Sequence, residues 1–490
     1  MRIQRFGRAR ELLWFILLSL LLGSLVMLLT GSLSLERDVR AGAPLNDFQA
    51  QLAERVPILL KQYRIPGCSL ALVQDGEIVW SEAYGYADLD RGRVLTADTP
   101  MRVQSISKSV TAWAVMKLVE EGAIELDAPI SRYLKSWQFP ESPYSTEGVT
   151  IRRLLSHTAG LPLGDVFTLY SPGQAMPSLR EKLTRETVLT QEPGTAFSYS
   201  NTGYNLLELL IEEVTGQGFS EYMQAEILLP LGMKGASFDW SASMTPPPPV
   251  GYGLNDAPIP TYVYPEKASG GLFATAEDIA RFTLASMHNN PVLNADSIAQ
   301  LYSPASHDIG VYGVVFDAYG FGHFVETLPN GARSVSHGGQ GSGIMTHMQV
   351  VPETGDAIVI LTNSQRSWPF IAYLLSDWAH WRGFLAIGMG KIVWGRYGLS
   401  AAVGMLLSAS LLLCWRPMTA FYMRQANGEN AKPRQMRWMR LAISFALLGI
   451  LAWSVSQKYL FLTSVFPVLS VWLGLATLIF AVALLLSAVS

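Results

Sequence analysis

Residues Met101 to Gly122, MRVQSISKSVTAWAVMKLVEEG, decide how this chain is read. Val110, Ala114, Val115 and Leu118 recur at helical spacing and Gly122 stands where a helix stops, so a helix starting at Ser105 is expected. Residues three apart share a helix face, which lets Ser105 meet Lys108. A serine hydroxyl is a poor nucleophile until a neighbour takes its proton, and a lysine can take it only if burial or nearby charge lowers its pKa. Taken alone, the pair is better explained as a helix-start serine followed by a solvated lysine. A serine three residues before a lysine arises by chance about once or twice in a chain of this length.

Charged residues make up 15% of the 490 residues and apolar ones 49%, and a net charge of -3 gives no sign of a nucleic-acid partner. The apolar excess lies at the two ends. Arg2, Arg5, Arg8 and Arg10 precede an uncharged run from Leu12 to Leu35, whose part from Leu12 to Leu29 would rise about 27 Å as a helix, close to the bilayer hydrocarbon thickness. The small-residue site Ala41-Gly42-Ala43 lies beyond Glu36, Arg37 and Asp38, so an uncleaved anchor is expected rather than a signal peptide. Three more spans are expected at Gly398 to Cys414, Leu441 to Ser456 and about Leu460 to Val489, the last with Pro467 inside. The connection at 415–440 carries Arg416, Arg424, Lys432, Arg434, Arg437 and Arg440 against Glu429, which makes it cytoplasmic, as the N-terminal arginines make the start of the chain. Both termini are then inside, and the middle of the chain faces outward. The C-terminal spans hold no acidic or basic side chain, which favours an anchor, or a docking surface for another membrane protein, over a transporter. The expected divisions are a cytoplasmic start and anchor at 1–36, an extracytoplasmic domain at 37–385, a juxtamembrane linker at 386–397 and a three-helix membrane domain at 398–490, multi-pass in the inner or plasma membrane. Cys68 and Cys414 are poorly placed to bond to each other.

Within the exported region, Asn46 to Tyr63 reads as an amphipathic helix, with Phe48, Leu52, Val56, Leu59 and Leu60 on one side. Two strand-like runs, Ser69 to Gln74 and Ile78 to Tyr84, meet at Asp75-Gly76, a strong hairpin signal. His157, in TIRRLLSHTAGLP, reads as a buried structural histidine near a turn rather than a catalytic base. Glu192 to Gly216 brings Tyr199-Ser200-Asn201 to a helix entrance, where Tyr199 either points into a cleft or packs on the domain with Asn201 as a helix cap. Pro246 to Pro249 reads as a short rigid linker, and Thr275 as the cap of a helix starting near Glu277-Asp278. Ser334 to Gly343, SVSHGGQGSG, precedes strands at Met345 to Val351 and Ala357 to Leu361 joined by a turn at Pro352 to Asp356. His337-Gly338-Gly339 is expected at the start of the first of these strands, where glycines let backbone N–H groups approach a bound carbonyl. The seven histidines show no metal-binding spacing, and no GxSxG elbow occurs.

In this order Ser105-x-x-Lys108, Tyr199-x-Asn201 and His337-Gly338-Gly339 resemble the three active-site motifs of the serine penicillin-recognising superfamily, in the branch of class C β-lactamases, D-alanyl-D-alanine carboxypeptidases and related esterases. Pro66-Gly67, LLSHTAGLP and GGLFATAEDIARF at Gly270 to Phe282 are similar to that family as well, and the resemblance covers about Asn46 to Ser364. It implies an α+β, β-lactamase/transpeptidase-like fold, an antiparallel sheet flanked by helices plus an all-helical subdomain, here with one N-terminal and three C-terminal transmembrane helices. It implies that Ser105 forms an acyl-enzyme, that Lys108 and Tyr199 share the proton work, and that Asn201 orients Lys108 and the substrate amide. Which of Lys108 and Tyr199 is the base stays open. The backbone N–H groups of Ser105 and Gln340 would form the oxyanion hole, and no cofactor or metal is needed.

The third motif departs from the usual Lys-Thr-Gly. His337 replaces the lysine and Gly338 removes the hydroxyl, so recognition of a substrate carboxylate should weaken. Three C-terminal spans behind such a domain, together with His337-Gly338-Gly339-Gln340, resemble the periplasmic peptidases that mature acylated peptide prodrugs. Asn201 and Gly341 differ from that subgroup, and its D-asparagine specificity is not carried over. The expected function is a membrane-anchored, outward-facing serine hydrolase cleaving an amide in a small peptide, an acyl-amino acid, cell-wall material or a secreted acyl-peptide. The alternatives are an esterase of the same fold acting on short-chain or D-alanyl esters, and a β-lactamase or a non-catalytic penicillin-binding sensor.

Overall fold

The computed structural model describes residues 2–30, 39–427, 434–457 and 460–489, with side chains outside 2–11, 416–436 and 489. The helices are, in chain order, α1 (Arg2–Leu29), α2 (Leu45–Tyr63), α3 (Ile106–Glu120), α4 (Ile151–Leu155), α5 (Leu179–Glu186), α6 (Asn201–Thr215) and α7 (Phe219–Met223). They continue as α8 (Ala276–Ala285), α9 (Ala295–Leu301), α10 (Trp368–Trp381), α11 (Gly390–Asn427), α12 (Arg434–Ser456), α13 (Phe461–Val465) and α14 (Leu469–Val489). The strands are β1 (Gly67–Gln74), β2 (Glu77–Asp88), β3 (Arg93–Val94), β4 (Met101–Arg102), β5 (Gly251–Tyr252) and β6 (Pro258–Ile259). After them come β7 (Phe273–Ala274), β8 (Ala318–Tyr319), β9 (Phe324–Thr327), β10 (Arg333–Gly341), β11 (Ile344–Val351) and β12 (Asp356–Thr362).

Eight strands form one antiparallel sheet in the order β3-β2-β1-β12-β11-β10-β9-β8, so the first hairpin of the domain joins the last strands of the chain through β1 and β12. Asp75 and Gly76 both take positive φ at the β1–β2 turn, as a two-residue hairpin of this hand requires. α8 packs against β12, β1 and β2, while α10 packs on α2, β11 and β12. The helical part, around α3 to α7, shares one core with the sheet. α3 is its axis: every residue from Ile106 to Met116 is buried, so the helix expected to bury a single apolar face is enclosed all round, with Ser107, Ser109 and Thr111 hydrogen-bonded to neighbouring backbone.

The sequence expectation placed His337-Gly338-Gly339 at the start of the strand Met345 to Val351. The structure instead gives the motif a strand of its own, β10, which pairs with β11 from Val335↔Val350 to Gly341↔Ile344 across the turn Ser342-Gly343. β9 pairs with β10 only up to Ser336 and leaves the outer edge from His337 onward to other neighbours.

The chain divides into two compact units, residues 39–390 and residues 1–38 with 391–490. In the second unit four helices are long and apolar enough to cross a membrane, at Leu12–Leu29, Gly390–Trp415, Arg437–Ser456 and Leu469–Ala488. Gly23 and Gly404 let the backbones of α1 and α11 touch, since a Cβ on Gly404 would stand 2.2 Å from the Ser19 carbonyl oxygen. The linker expected at 386–397 and the loop expected at 415–440 are largely helix, because α11 begins at Gly390 and runs to Asn427 and α12 begins at Arg434. An apolar-run count stops at polar residues such as Arg396 and Arg416, whereas helix geometry tolerates them. Residues 428–433, including Glu429 and Lys432, lie outside the described residues. The span expected from Leu460 is broken near Pro467 into α13 and α14, since proline cannot supply the N–H of a continuous helix.

Candidate active site

Ser105 is the N-cap of α3, but its side chain makes no cap hydrogen bond, which leaves the hydroxyl for other partners. The residue before it, Gln104, has φ +53°, an unfavourable conformation for a side chain of that size. Its amide donates to the Tyr262 hydroxyl at 2.7 Å, which holds this turn in place.

Lys108, one helical turn on, is 0% exposed. Its Nζ lies 2.7 Å from Asn201 Oδ1, 2.7 Å from the Ser269 carbonyl oxygen and 3.1 Å from Ser105 Oγ. Asn201 is not the helix cap: Ser200 caps α6, accepting from the Gly203 N–H, and so frees the Asn201 amide for the lysine. Among the described residues no carboxylate pairs with Lys108, and burial holds its pKa well below the ordinary lysine value. Tyr199 lies beside Ser105 and Lys108, its ring 5.1 Å from Lys108 Nζ, and burial, then the nearby Tyr312, raise its pKa well above that of a free phenol, against an opposing effect of the Ser105 side chain. His157 takes the structural role expected of it. It is buried at φ +58°, its Nδ1 accepts the Ser200 N–H at 3.1 Å, and its ring lies 4.3 Å from that of Tyr199.

His337 is also buried. Its Nδ1 donates to the Gly338 carbonyl at 2.9 Å and its Nε2 accepts from the Tyr319 hydroxyl at 3.2 Å, an arrangement that suits the neutral ring. Burial, then the Lys108 charge, push its pKa well below the usual imidazole value. Gly339 is required by packing, because a Cβ there would stand 2.2 Å from Thr346 Oγ1 and 2.3 Å from the Val103 carbonyl oxygen. That contact brings β10 against the segment leading into Ser105. Gly341 and Ile344 close the two-residue turn as a hydrogen-bonded pair, so Gln340 and Met345 form the next, non-hydrogen-bonded pair and the Gln340 N–H points away from β11, toward the outer edge. The structure thus joins Ser105 and Asn201 through Lys108, sets Tyr199 beside them and lays His337 to Gln340 nearby, with the His337 ring 6.3 Å from that of Tyr199. A cavity of about 240 Å³ is lined by Arg102, Met176, Trp240, Val263 and Tyr264 among others, and by none of Ser105, Lys108, Tyr199, Asn201 and His337. Among the described residues no cluster of three His, Cys, Asp or Glu side chains is placed to hold a metal.

Sequence reasoning missed the Ser269 carbonyl and what holds it. Buried Glu208 accepts the backbone N–H groups of Lys267 at 2.6 Å and Ala268 at 2.7 Å, and Thr111 donates to the Ala268 carbonyl. A lone acid on an apolar helix face was the available signal. Burial raises the Glu208 pKa to about 8. The folded state then keeps a proton that the unfolded chain releases near 4.5, so this group's contribution to stability falls as pH rises from about 4.5 to about 8. Glu208→Gln is expected to flatten that part of a Tm-versus-pH curve. Glu208→Ala, which orphans two buried N–H groups, should lower stability by about 1–3 kcal/mol at every pH.

A sequence model of the beta-lactamase family matches residues 46–374. Protein flp of Staphylococcus aureus (strain MRSA252) is 27% identical over 325 residues, which are 65% of this chain and 63% of that protein, so the match leaves more than a third of protein flp uncovered. Penicillin-binding protein 4* of Bacillus subtilis (strain 168) is 27% identical over 342 residues, 65% of this chain and 73% of that one. Among solved structures, an octameric penicillin-binding protein homologue from Pyrococcus abyssi superposes with a TM-score of 0.57 at 25% identity, covering 67% of this chain and 77% of that one. The fold is shared with a D-stereospecific amidohydrolase from Streptomyces sp., at a TM-score of 0.51 and 22% identity over 61% of this chain and 90% of that one. With the profile spanning most of the chain and the sheet and helices arranged as in these relatives, the chain belongs to the beta-lactamase family of penicillin-binding-protein-like serine hydrolases.

Proposed function

We propose that this protein is a membrane-anchored hydrolase in which Ser105 attacks an acyl carbonyl, Lys108 takes the serine proton and Tyr199 passes a proton to the leaving group. The environment of Lys108 Nζ carries this reading. A neutral amine has two N–H bonds and one lone pair, and the Asn201 amide oxygen and the Ser269 carbonyl can only accept. Both N–H bonds are therefore engaged, and the lone pair faces Ser105 Oγ. Burial without an acidic partner favours that neutral form, and the same burial keeps Tyr199 a phenol, better suited to hand over a proton than to take the first one.

In the first step the Ser105 Oγ–C bond forms, the Oγ proton goes to Lys108, and the negative oxygen faces the backbone N–H groups of Ser105 and Gln340. Loss of one such donor typically costs about 3 kcal/mol in the transition state. Collapse breaks the C–N or C–O bond: Tyr199 gives its hydroxyl proton to the leaving amine or alcohol and takes the proton held by Lys108 in return. Water then cleaves the serine ester by the reverse route and restores Ser105 and neutral Lys108. Asn201 orients Lys108 and the substrate amide, and His337, Gly338 and Gly339 wall the substrate channel.

The substrate we favour is an amide next to a D-amino acid, in cell-wall material or a secreted acyl-peptide, in keeping with the fold shared with a D-stereospecific amidohydrolase. An ester substrate is the second reading, supported by a third motif that presents neither cation nor hydroxyl to a carboxylate. The four apolar helices support anchoring in the cell membrane, with residues 39–390 outside and both termini in the cytoplasm by the distribution of arginine and lysine.

Incubation of the full-length protein with acyl-D-amino-acid amides and wall fragments should give an acyl mass adduct on the peptide holding Ser105. The acylation rate should rise with pH as Lys108 loses its proton, with a midpoint below the ordinary lysine value of 10.5. No adduct with any acyl donor, or an adduct on another residue, would overturn the proposal.

A further inference from the structure

We infer that the cavity beside Arg102 is a binding site for a small carboxylic acid with an apolar body: Arg102 holds the carboxylate, and the aromatic and aliphatic walls hold the rest. The site is separate from the side chains that carry the chemistry and does not depend on the hydrolase reading.

Arg102 ends the two-residue strand β4 and is 5% exposed. Its guanidinium carbon lies 4.3 Å from the ring centre of Phe273, 4.8 Å from that of Tyr262 and 4.9 Å from that of Tyr264. Ring faces offset part of the cost of burying a cation, but they carry no opposite charge. Of the donors a guanidinium offers, one is used: Nη2 donates to the Tyr262 carbonyl. Nε and Nη1 make no hydrogen bond among the described residues, and neither is shut off from open space. Among the described residues no carboxylate pairs with Arg102, whereas Arg366, equally buried, has Asp256 at 3.5 Å and Arg55 has Asp377 at 2.5 Å. Burial lowers the Arg102 pKa, yet a guanidinium stays charged far above neutral pH. The protein has therefore buried a cation without supplying its anion.

The space beside it is ligand-sized, about 240 Å³ against the roughly 10–15 Å³ that a single water needs. Met176, Phe238, Trp240, Val263, Tyr264 and Phe273 give it apolar walls. The other two charges on its lining cancel, since Lys267 is paired with Asp239 and donates to Ser220 Oγ, which leaves Arg102 as the uncompensated one. A carboxylate would give the free guanidinium donors charge-assisted hydrogen bonds, in the planar match that arginine favours. An inorganic anion would leave the apolar walls unfilled, and a neutral apolar molecule would leave the cation uncompensated. An acid with an aromatic or branched aliphatic body satisfies both parts of the site.

The test titrates the full-length protein in detergent micelles with 3-phenylpropanoate and with 3-phenylpropanamide in a calorimeter, empty micelles serving as the blank. The two probes differ only in a carboxylate against a neutral amide. Wild type is expected to bind the acid about tenfold or more tightly than the amide, and Arg102→Met should bring the two to within about twofold. Asp239→Asn, at an exposed position, leaves Lys267 without its acid and should tighten the carboxylate several-fold while leaving the amide unchanged. Trp240→Ala should weaken both probes alike. Competition between the acid and a thioester substrate would make the carboxylate part of the substrate, and binding with no change in KM would make it a separate small acid; either result keeps the site. Equal affinity of wild type for acid and amide, binding of neither, or a preference that survives in Arg102→Met would overturn the inference and leave the hydrolase reading intact. Should Arg102→Met fail to fold, an unchanged acid affinity in Asp239→Asn would overturn it instead.

Discussion

Ser105→Ala is expected to lower turnover of every substrate by about 10⁴-fold or more, and Lys108→Met by about 10² to 10⁴-fold. The Ser105/Lys108 double variant should be no slower than Ser105→Ala. Residues that act as one unit are strongly non-additive, and here the unit is visible: the lysine's third contact is the serine oxygen, at 3.1 Å, and its other two are fixed carbonyls. Once the nucleophile is gone there is no proton for Lys108 to take. Ser105→Ala should leave Tm nearly unchanged, because the serine makes no cap hydrogen bond to α3. That separates a chemical loss from a folding loss. Single-turnover rates with an activated thioester, read beside Tm for all three proteins, decide the matter, and a double variant clearly slower than both singles would mean that the two side chains act independently.

What could be read from the sequence was mostly local. The Asp75-Gly76 hairpin, the helix with Phe48, Leu52 and Val56 inward, the Thr275 cap and the Gly216 stop all rest on neighbours a few residues apart, and each is found in the structure. The order of the three motifs allowed the fold to be expected. β10 was missed because Ser-His-Gly-Gly-Gln-Gly-Ser-Gly carries turn-forming residues; the strand exists through pairing with β11 and through glycines that admit the Ser105 segment. Contacts between distant residues had no local signal. The Ser269 carbonyl lies 161 positions from Lys108, and Trp368 meets Gln340 across 28. The positive φ at Gln104 is likewise imposed by its surroundings and not by its residue type. The polar ends of α11 and α12 were read as a loop because charge marks the edge of an apolar run, not the end of a helix.

Gly339→Ala is expected to be the most damaging of the glycine-to-alanine changes along the third motif. The new Cβ would stand 2.3 Å from the Val103 carbonyl oxygen and 2.2 Å from Thr346 Oγ1, and the two obstacles are tied together, since Thr346 Oγ1 donates to that carbonyl at 2.8 Å. Neither is the tip of a flexible side chain, so relief requires β10 to move away from the segment before Ser105 by roughly 1 Å. A displacement of that order typically costs about 10²-fold in rate, and overpacking of a tight core costs about 1–3 kcal/mol. Gly341→Ala meets the end of the Gln104 side chain, 2.1 Å from Nε2, which can swing aside at the expense of its bond to Tyr262. Gly338→Ala meets the edge of Trp368 at 3.0 Å and His347 Nδ1 at 3.3 Å, both side-chain atoms and both farther away. The loss of kcat/KM should therefore fall in the order 339, 341, 338, with Tm following the same order. Native activity in Gly339→Ala would show that the position of β10 beside Ser105 does not set the rate, and would remove the Gln340 N–H from the proposed oxyanion site.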